Sequence, residues 1–275
     1  MSHDADTPEE STPFDGPIPE FYEQHLVPLI FATYADDLAS RIAGYRGAIL
    51  ETAAGTGVLT RRLVQTLDPS ATLFATDISD SMLRRAQDMG TDRPVTWAAA
   101  DAMALPFPDS SFDVVVCQFG IMFMRDRVRA LAEARRVLRR DGVLLFNTWD
   151  RIEENEFVGV VSDAVAALFP ADPPTFINRV PHGYHDPHAI RDDVRAAGFT
   201  RSLRVISVQA LSHAASARSV AVACCCGTPL LTEIETRDRS KVDEAIESAS
   251  RAIEDRFGQG PISGRLSAWI VSARK

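Results

Sequence analysis

The stretch Ile49-Leu50-Glu51-Thr52-Ala53-Ala54-Gly55-Thr56-Gly57-Val58-Leu59-Thr60 constrains the fold of this chain more than any other. An apolar run from Ala48 to Leu50 meets an acid, and small residues crowd the positions that follow. Val58-Leu59-Thr60-Arg61-Arg62-Leu63-Val64 then takes up helical spacing. That order predicts a buried strand, a tight turn and a helix start. Small residues at such a corner let the backbone approach a ligand, and the first amides of the helix point into the same space. Turns without ligands use glycine too, so the rest of the chain must decide.

The next segments repeat the unit. Thr72 to Thr76 reads as a second strand ending in Asp77. Ser79 is placed to cap a helix that carries Met82, Leu83 and Ala86. Pro94 to Ala99 reads as a third strand, ending near Asp101, and the almost wholly apolar Phe112–Phe119 as a central buried strand. Val128–Leu138 is an amphipathic helix, Asp141-Gly142 a turn and Val143–Trp149 a fifth strand. Such alternation implies a parallel sheet with helices on both faces. Farther on, Glu154–Phe169 reads as helix. Asp186 and Pro187 fit the N-cap and first position of another helix, which ends at Gly198. Leu203–Ala210 and Leu266–Ala273 read as strands, Ser216–Cys226 and Lys241–Phe257 as helices. Upstream, apolar residues from Phe21 to Ile42 recur at helical steps, with a break expected near Pro28.

Composition removes several function classes. The net charge of −9 argues against a nucleic-acid partner, which needs a basic face. No apolar run approaches the ~20 residues of a membrane span, and the acidic start lacks the pattern of a signal peptide. Cys117 stands alone and Cys224, Cys225 and Cys226 stand side by side, which is neither a disulfide framework nor a zinc spacing. A cytoplasmic protein with reduced, buried thiols and no metal is expected.

Glu51, Asp77 and Asp101 close three successive strands, each one strand–helix–strand unit after the last. In an open α/β sheet the ligand lies at the carboxyl ends of the strands, so the three acids should converge there, and the second suits a ribose diol. A dinucleotide fingerprint wants Gly or Ala where Thr60 stands, and no phosphate-loop lysine follows the glycines.

Glu51-x-Ala53-x-Gly55-x-Gly57 resembles the first motif of class I S-adenosylmethionine-dependent methyltransferases, an acid followed by three spaced glycines. It departs at Ala53, a residue small enough to keep binding. Asp77-Ile78-Ser79-Asp80-Ser81-Met82, Ala100-Asp101-Ala102 with Ser111-Phe112-Asp113, and Val137-Leu138-Arg139-Arg140-Asp141-Gly142 resemble the later motifs, in order. The branch resembled is that of the ubiquinone/menaquinone-biosynthesis methyltransferases. The resemblance implies a Rossmann-like, mostly parallel seven-stranded sheet with an N-terminal helical lid and a small helical insertion after strand five. It also implies residue roles. Backbone at Ala53, Gly55 and Gly57 approaches the methionine part of S-adenosylmethionine, with Glu51 ahead of it. Asp77 takes the ribose hydroxyls, Ile78 lies beside the adenine, Asp101 accepts from the adenine amino group, and Ala102 runs alongside. Met82 packs near the cofactor or in the core. Gln118 lies beside the transferring methyl, and Tyr22 closes over the amino-acid end.

The expected organisation is a disordered tail (1–17) and one domain (18–275), made of lid helices (18–45), cofactor core (46–150), acceptor-side insertion (151–198) and C-terminal strands and helices (199–275). The expected reaction is methyl transfer to a small-molecule acceptor, giving S-adenosylhomocysteine. A non-catalytic cofactor-binding protein and a nicotinamide-dependent oxidoreductase are the alternatives. His185 is the candidate base, in a loop that also carries His182 and His188; surface or capping roles are the competing reading. Phe123, Trp149, His182 and Tyr184 are candidate linings of the acceptor pocket. Asp172-Pro173-Pro174-Thr175 resembles an amine-methylating motif but lies far from the end of strand four, where that motif belongs.

Overall fold

The computed structural model describes residues 16–275. The expected tail lies outside the described residues, apart from Gly16 and Pro17, which turn into the first helix. That helix, α1 (Ile18–Phe21), runs into a π-helical segment (Tyr22–Phe31) and then α2 (Ala32–Arg41). The expected break at Pro28 does not occur. Pro28 sits inside the π-helical segment, whose wider turn relieves the clash a proline ring makes with the carbonyl four residues back.

Seven strands form one sheet: β1 (Ala48–Thr52), β2 (Thr72–Asp77), β3 (Thr96–Ala99), β4 (Phe112–Gln118), β5 (Leu138–Trp149), β6 (Arg201–Ala214) and β7 (Ile262–Arg274). Their order is β3-β2-β1-β4-β5-β7-β6, with β7 antiparallel to both neighbours and every other pair parallel. The chain leaves β1 toward β2 on one side and returns to β4 on the other. The crevice beyond β1 and β4 is therefore the topological switch point, where ligands of open α/β sheets bind. The glycine turn leaves β1 there, and Gln118 ends β4 there.

β5 starts earlier than expected, at Leu138. The register with β4 shifts between Phe112 and Val114, and Asp141 adopts φ +64°, so the predicted Asp141-Gly142 turn survives as an irregularity inside the strand. β4 is the strand its composition predicts: Val114, Val115 and Val116 are all at most 1% exposed. Each such side chain contributes about 1.5–3 kcal/mol relative to exposure.

The helices α3 (Val58–Thr66), α4 (Asp80–Met89) and α5 (Arg127–Val137) complete the first half. Ser79 caps α4 by accepting from the Met82 amide, and Asp126 caps α5 by accepting from Arg129. After β5 come α6 (Glu156–Ala167), α7 (Phe176–Arg179) and α8 (Pro187–Ala196); Asp186 caps α8 as its sequence predicts. Between β6 and β7 lie α9 (Ala217–Cys226), α10 (Leu230–Asp238) and α11 (Val242–Phe257). Thus the insertion after β5 has a counterpart between β6 and β7. α9 and α11 pack together, α6 packs on both, and α9 also meets the π-helical segment. Helical segments far apart in sequence so form one cap beside the switch point.

Candidate cofactor and acceptor site

The glycine turn is built on left-handed backbone. Ala53, Gly55 and Gly57 have φ of +52°, +57° and +79°. Gly57 is the N-cap of α3, and a methyl on it would press against Ala86 and Trp97 at 3.1 Å. A methyl on Gly55 would meet nothing within 4 Å. Gly57 is thus needed for packing, whereas Gly55 presents bare backbone to open space, the surface a ligand's backbone contacts require.

Asp77 ties the turn to its neighbour. Its Oδ2 accepts from the Gly55 amide at 2.7 Å and its Oδ1 from the Ser79 amide at 2.9 Å. Burial pushes its carboxyl up, and the backbone amides of Ser79, Gly55 and Ile78 oppose that shift. Each carboxylate oxygen still has a lone pair to offer. Ile78, next in the chain, is 61% exposed, an unusual state for an isoleucine and one that suits a flat apolar partner. Asp101, just past β3, accepts from the Met103 amide through Oδ1, and Ala102 is half-buried. Met82 is buried in the core at 3% exposure.

Glu51 lies deeper. It is 1% exposed and accepts from the Thr60 hydroxyl at 2.6 Å. Burial drives its pKa up to about 8 against the lowering effects of Thr60 and Arg61. Thr60, the residue that spoils a dinucleotide fingerprint, is therefore the partner of the motif's own acid.

The N-terminal segment closes over this corner. Arg61 of α3 donates to the Thr56 carbonyl at 2.7 Å and to Glu23 Oε1 at 2.5 Å. Gln118 donates to the Phe31 carbonyl at 2.9 Å, and Ser212 to the Leu29 carbonyl at 2.7 Å. Tyr22 stacks on Phe31 with centroids 4.9 Å apart. Burial, then the charges of Asp77 and Glu23, pushes its phenol well above the usual range.

Beyond Tyr22 lies an apolar cavity, part of it open to solvent. Tyr22, Phe31, Phe119, Phe123, Trp149 and Phe176 supply its rings. Phe119 and Trp149 stack at 3.8 Å, and Phe31 tilts against both. Of the candidate linings, Phe123, Trp149 and His182 meet here. Tyr184 does not; it is 4% exposed, with the Arg127 guanidinium 4.4 Å from its ring centroid. The structure does not bring His185 here either. His185 faces a separate open groove with Asp150, Glu154 and Trp269, because its Nδ1 is pinned to the His182 carbonyl at 2.6 Å. Cys224, read from sequence as a buried apolar filler, lines the cavity, and burial holds its thiol protonated up to about 12. Asn155, Thr228, Pro229 and Leu266 are further linings that no local pattern announced.

A profile described as a methyltransferase domain matches residues 50–146. The chain is 44% identical over 106 residues to the ubiquinone/menaquinone biosynthesis C-methyltransferase UbiE of Bordetella avium, a match covering 38% of this chain and 41% of that protein. It therefore spans about two fifths of the length of this curated relative. The YcgJ protein of Bacillus subtilis shares the fold, with a TM-score of 0.55 and 20% identity over 88% of this chain and 98% of that one. Phosphoethanolamine N-methyltransferase 2 of Haemonchus contortus, solved with S-adenosyl-L-methionine, superposes with a TM-score of 0.58 and 14% identity, covering 94% and 56%. Over residues 50–146 the chain is therefore similar to the class I S-adenosylmethionine-dependent methyltransferases.

Proposed function

We propose that this protein transfers the methyl group of S-adenosylmethionine to a small, uncharged acceptor held in the aromatic cavity. One observation carries the reading: the left-handed Ala53–Gly57 turn, braced by Asp77 at the switch point, adjoins a partly open apolar cavity across Tyr22.

The residues present suit the cofactor. Glu23 Oε2, Thr56 Oγ1 and Gln118 Oε1 are buried without protein partners. Such groups are costly unless a ligand satisfies them, and two of the three are pure acceptors, apt for a cationic ligand. Asp77 would hold the ribose, Ile78 and Asp101 the adenine, and the Gly55 region the methionine end. The cofactor supplies a methyl group already activated by its sulfonium. The protein's part is to align acceptor and methyl and to exclude water, and alignment alone can lower a barrier by up to roughly 7–11 kcal/mol.

Calorimetric titration with S-adenosylmethionine, S-adenosylhomocysteine and NAD tests this. Both sulfur nucleosides should bind and NAD should not; binding of NAD alone would replace the reading with an oxidoreductase.

A further inference from the structure

We propose that His182 selects the methyl acceptor, its Nε2 accepting a hydrogen bond from a hydroxyl group on an uncharged, lipophilic molecule seated in the aromatic cavity. This rests on the methyltransferase reading of the adjoining glycine turn and goes beyond it by naming the acceptor's class and the residue that reads it.

The first observation is what the cavity lacks. Among its described linings there is no Asp, Glu, Lys or Arg. A cationic amine or an anionic phosphate or carboxylate would be stripped of water there without a countercharge, at prohibitive cost. The acceptor is therefore neutral and mostly apolar.

The second is that the cavity's polar groups are nearly all spoken for. Asn155 donates to the Asp150, Arg151 and Ser267 carbonyls and accepts from the Ser267 amide. Thr228 donates to the Cys224 carbonyl and accepts from the Leu230 amide. Tyr22 faces the charges of Asp77 and Glu23.

The third is the tautomer of His182. Its Nδ1 lies 2.7 Å from the Asp150 carbonyl oxygen. A carbonyl only accepts, so Nδ1 carries the proton, and a neutral ring then leaves Nε2 as a bare acceptor. No described protein atom partners Nε2. The ring is held in place, because Thr148 donates to the Tyr184 carbonyl at 3.1 Å and docks the loop on β5. Trp149 lies beside the imidazole, with centroids 6.1 Å apart.

The charge state follows from the neighbours. His185 on the same loop disfavours protonation, while Glu153 and the Asp150 carboxylate and carbonyl, on the stretch after β5, favour it. Burial outweighs them and brings the imidazole down to about 4. So weak a base does not strip a proton from a resting hydroxyl. Its contribution is positional: it turns the hydroxyl's proton toward Nε2 and the oxygen lone pair away from it.

The test uses 2-naphthol, 2-methoxynaphthalene and 2-naphthoate as probes, titrated into the full chain saturated with S-adenosylhomocysteine. Naphthol should bind about tenfold more tightly than its methyl ether, the usual worth of one buried hydrogen bond, and naphthoate more weakly than naphthol. In His182→Phe and His182→Met the preference for naphthol over the ether should shrink to about twofold or less, with S-adenosylhomocysteine affinity unchanged. In the unaltered protein the preference should stay constant from pH 8 to 5.5. Equal binding of naphthol and ether, no binding of either, tighter binding of naphthoate, a preference that survives both substitutions, or an inflection near pH 6.5 would each overturn the proposal. The pH arm needs no variant, so it stands even where a substitution fails to fold. S-adenosylhomocysteine titrated alone reports separately on the methyltransferase reading.

Discussion

Ala53 and Gly120 are fitted to one another: a methyl on Gly120 would stand 2.4 Å from the Ala53 Cβ, and 2.7 Å from the Cys117 sulfur. Ala53 occupies the position where the methyltransferase motif it resembles more often has glycine, and it holds a left-handed φ of +52°. Its side chain is accommodated because the chain just beyond β4 has none at the facing position. Gly120→Ala should therefore destabilise the fold by about 1–3 kcal/mol through overpacking, measured by urea unfolding. Adding Ala53→Gly should recover part of that loss but not all, because the Cys117 clash remains. An additive double mutant would mean that the two positions do not meet.

Asp77 bridges two backbone amides and is the proposed holder of the ribose. Asp77→Ala removes both bonds, at 2.7 and 2.9 Å, along with the ribose acceptor. S-adenosylhomocysteine affinity should fall by about 1–3 kcal/mol or more. Asp77→Asn keeps one acceptor oxygen but turns an amide donor toward a backbone N–H, so it should lose less. Calorimetry on both variants decides, and wild-type affinity for Asp77→Ala would remove this residue from the site.

What could be read in the chain and what could not divides along physical lines. The glycine turn, the Ser79 cap and the Asp186-Pro187 helix start are local, and each lies where its residues predict; the strands are found too, though β5, β6 and β7 start earlier than their apolar runs. The acceptor cavity is not local. Tyr22, Trp149, Phe176, His182, Cys224 and Leu266 come from six separate segments, and contacts between distant segments leave no short pattern. α10 leaves no clear helical signal in the sequence because its apolar stripe, Leu230, Leu231 and Ile234, is short and interleaved with charge. His182 and His185 look equivalent in sequence. The docking of their loop on β5 separates them, turning one ring toward the cavity and the other toward an open groove.

Arg61 and Glu23 join α3 to the π-helical segment directly over the glycine turn. Glu23 is 9% exposed, so removing Arg61 alone strands a nearly buried carboxylate. Arg61→Met should cost about 1–3 kcal/mol, discounted for the partial exposure of the guanidinium, and Glu23→Gln somewhat less. The double variant should cost less than the sum of the two. A urea-unfolding double-mutant cycle measures the coupling, and a coupling near zero would reduce the pair to an incidental contact.

Glu51 couples proton, stability and cofactor. Its carboxyl is raised by burial from 4.5 to about 8. The folded protein thus keeps a proton that the unfolded chain releases above about pH 4.5. The resulting stability is fully present below the unfolded value and is lost as pH rises through the folded one. Between pH 5.5 and 9 the wild type should therefore lose about 1–3 kcal/mol relative to Glu51→Gln, which stays neutral and keeps an oxygen for the Thr60 hydroxyl. A cationic cofactor favours the ionised carboxylate, so binding S-adenosylmethionine near pH 7 should release a fraction of a proton, and affinity should rise with pH toward 8. Titrations in buffers of different ionisation enthalpy count that proton. Release should vanish in Glu51→Gln, and equal release in both proteins would place the titrating group elsewhere.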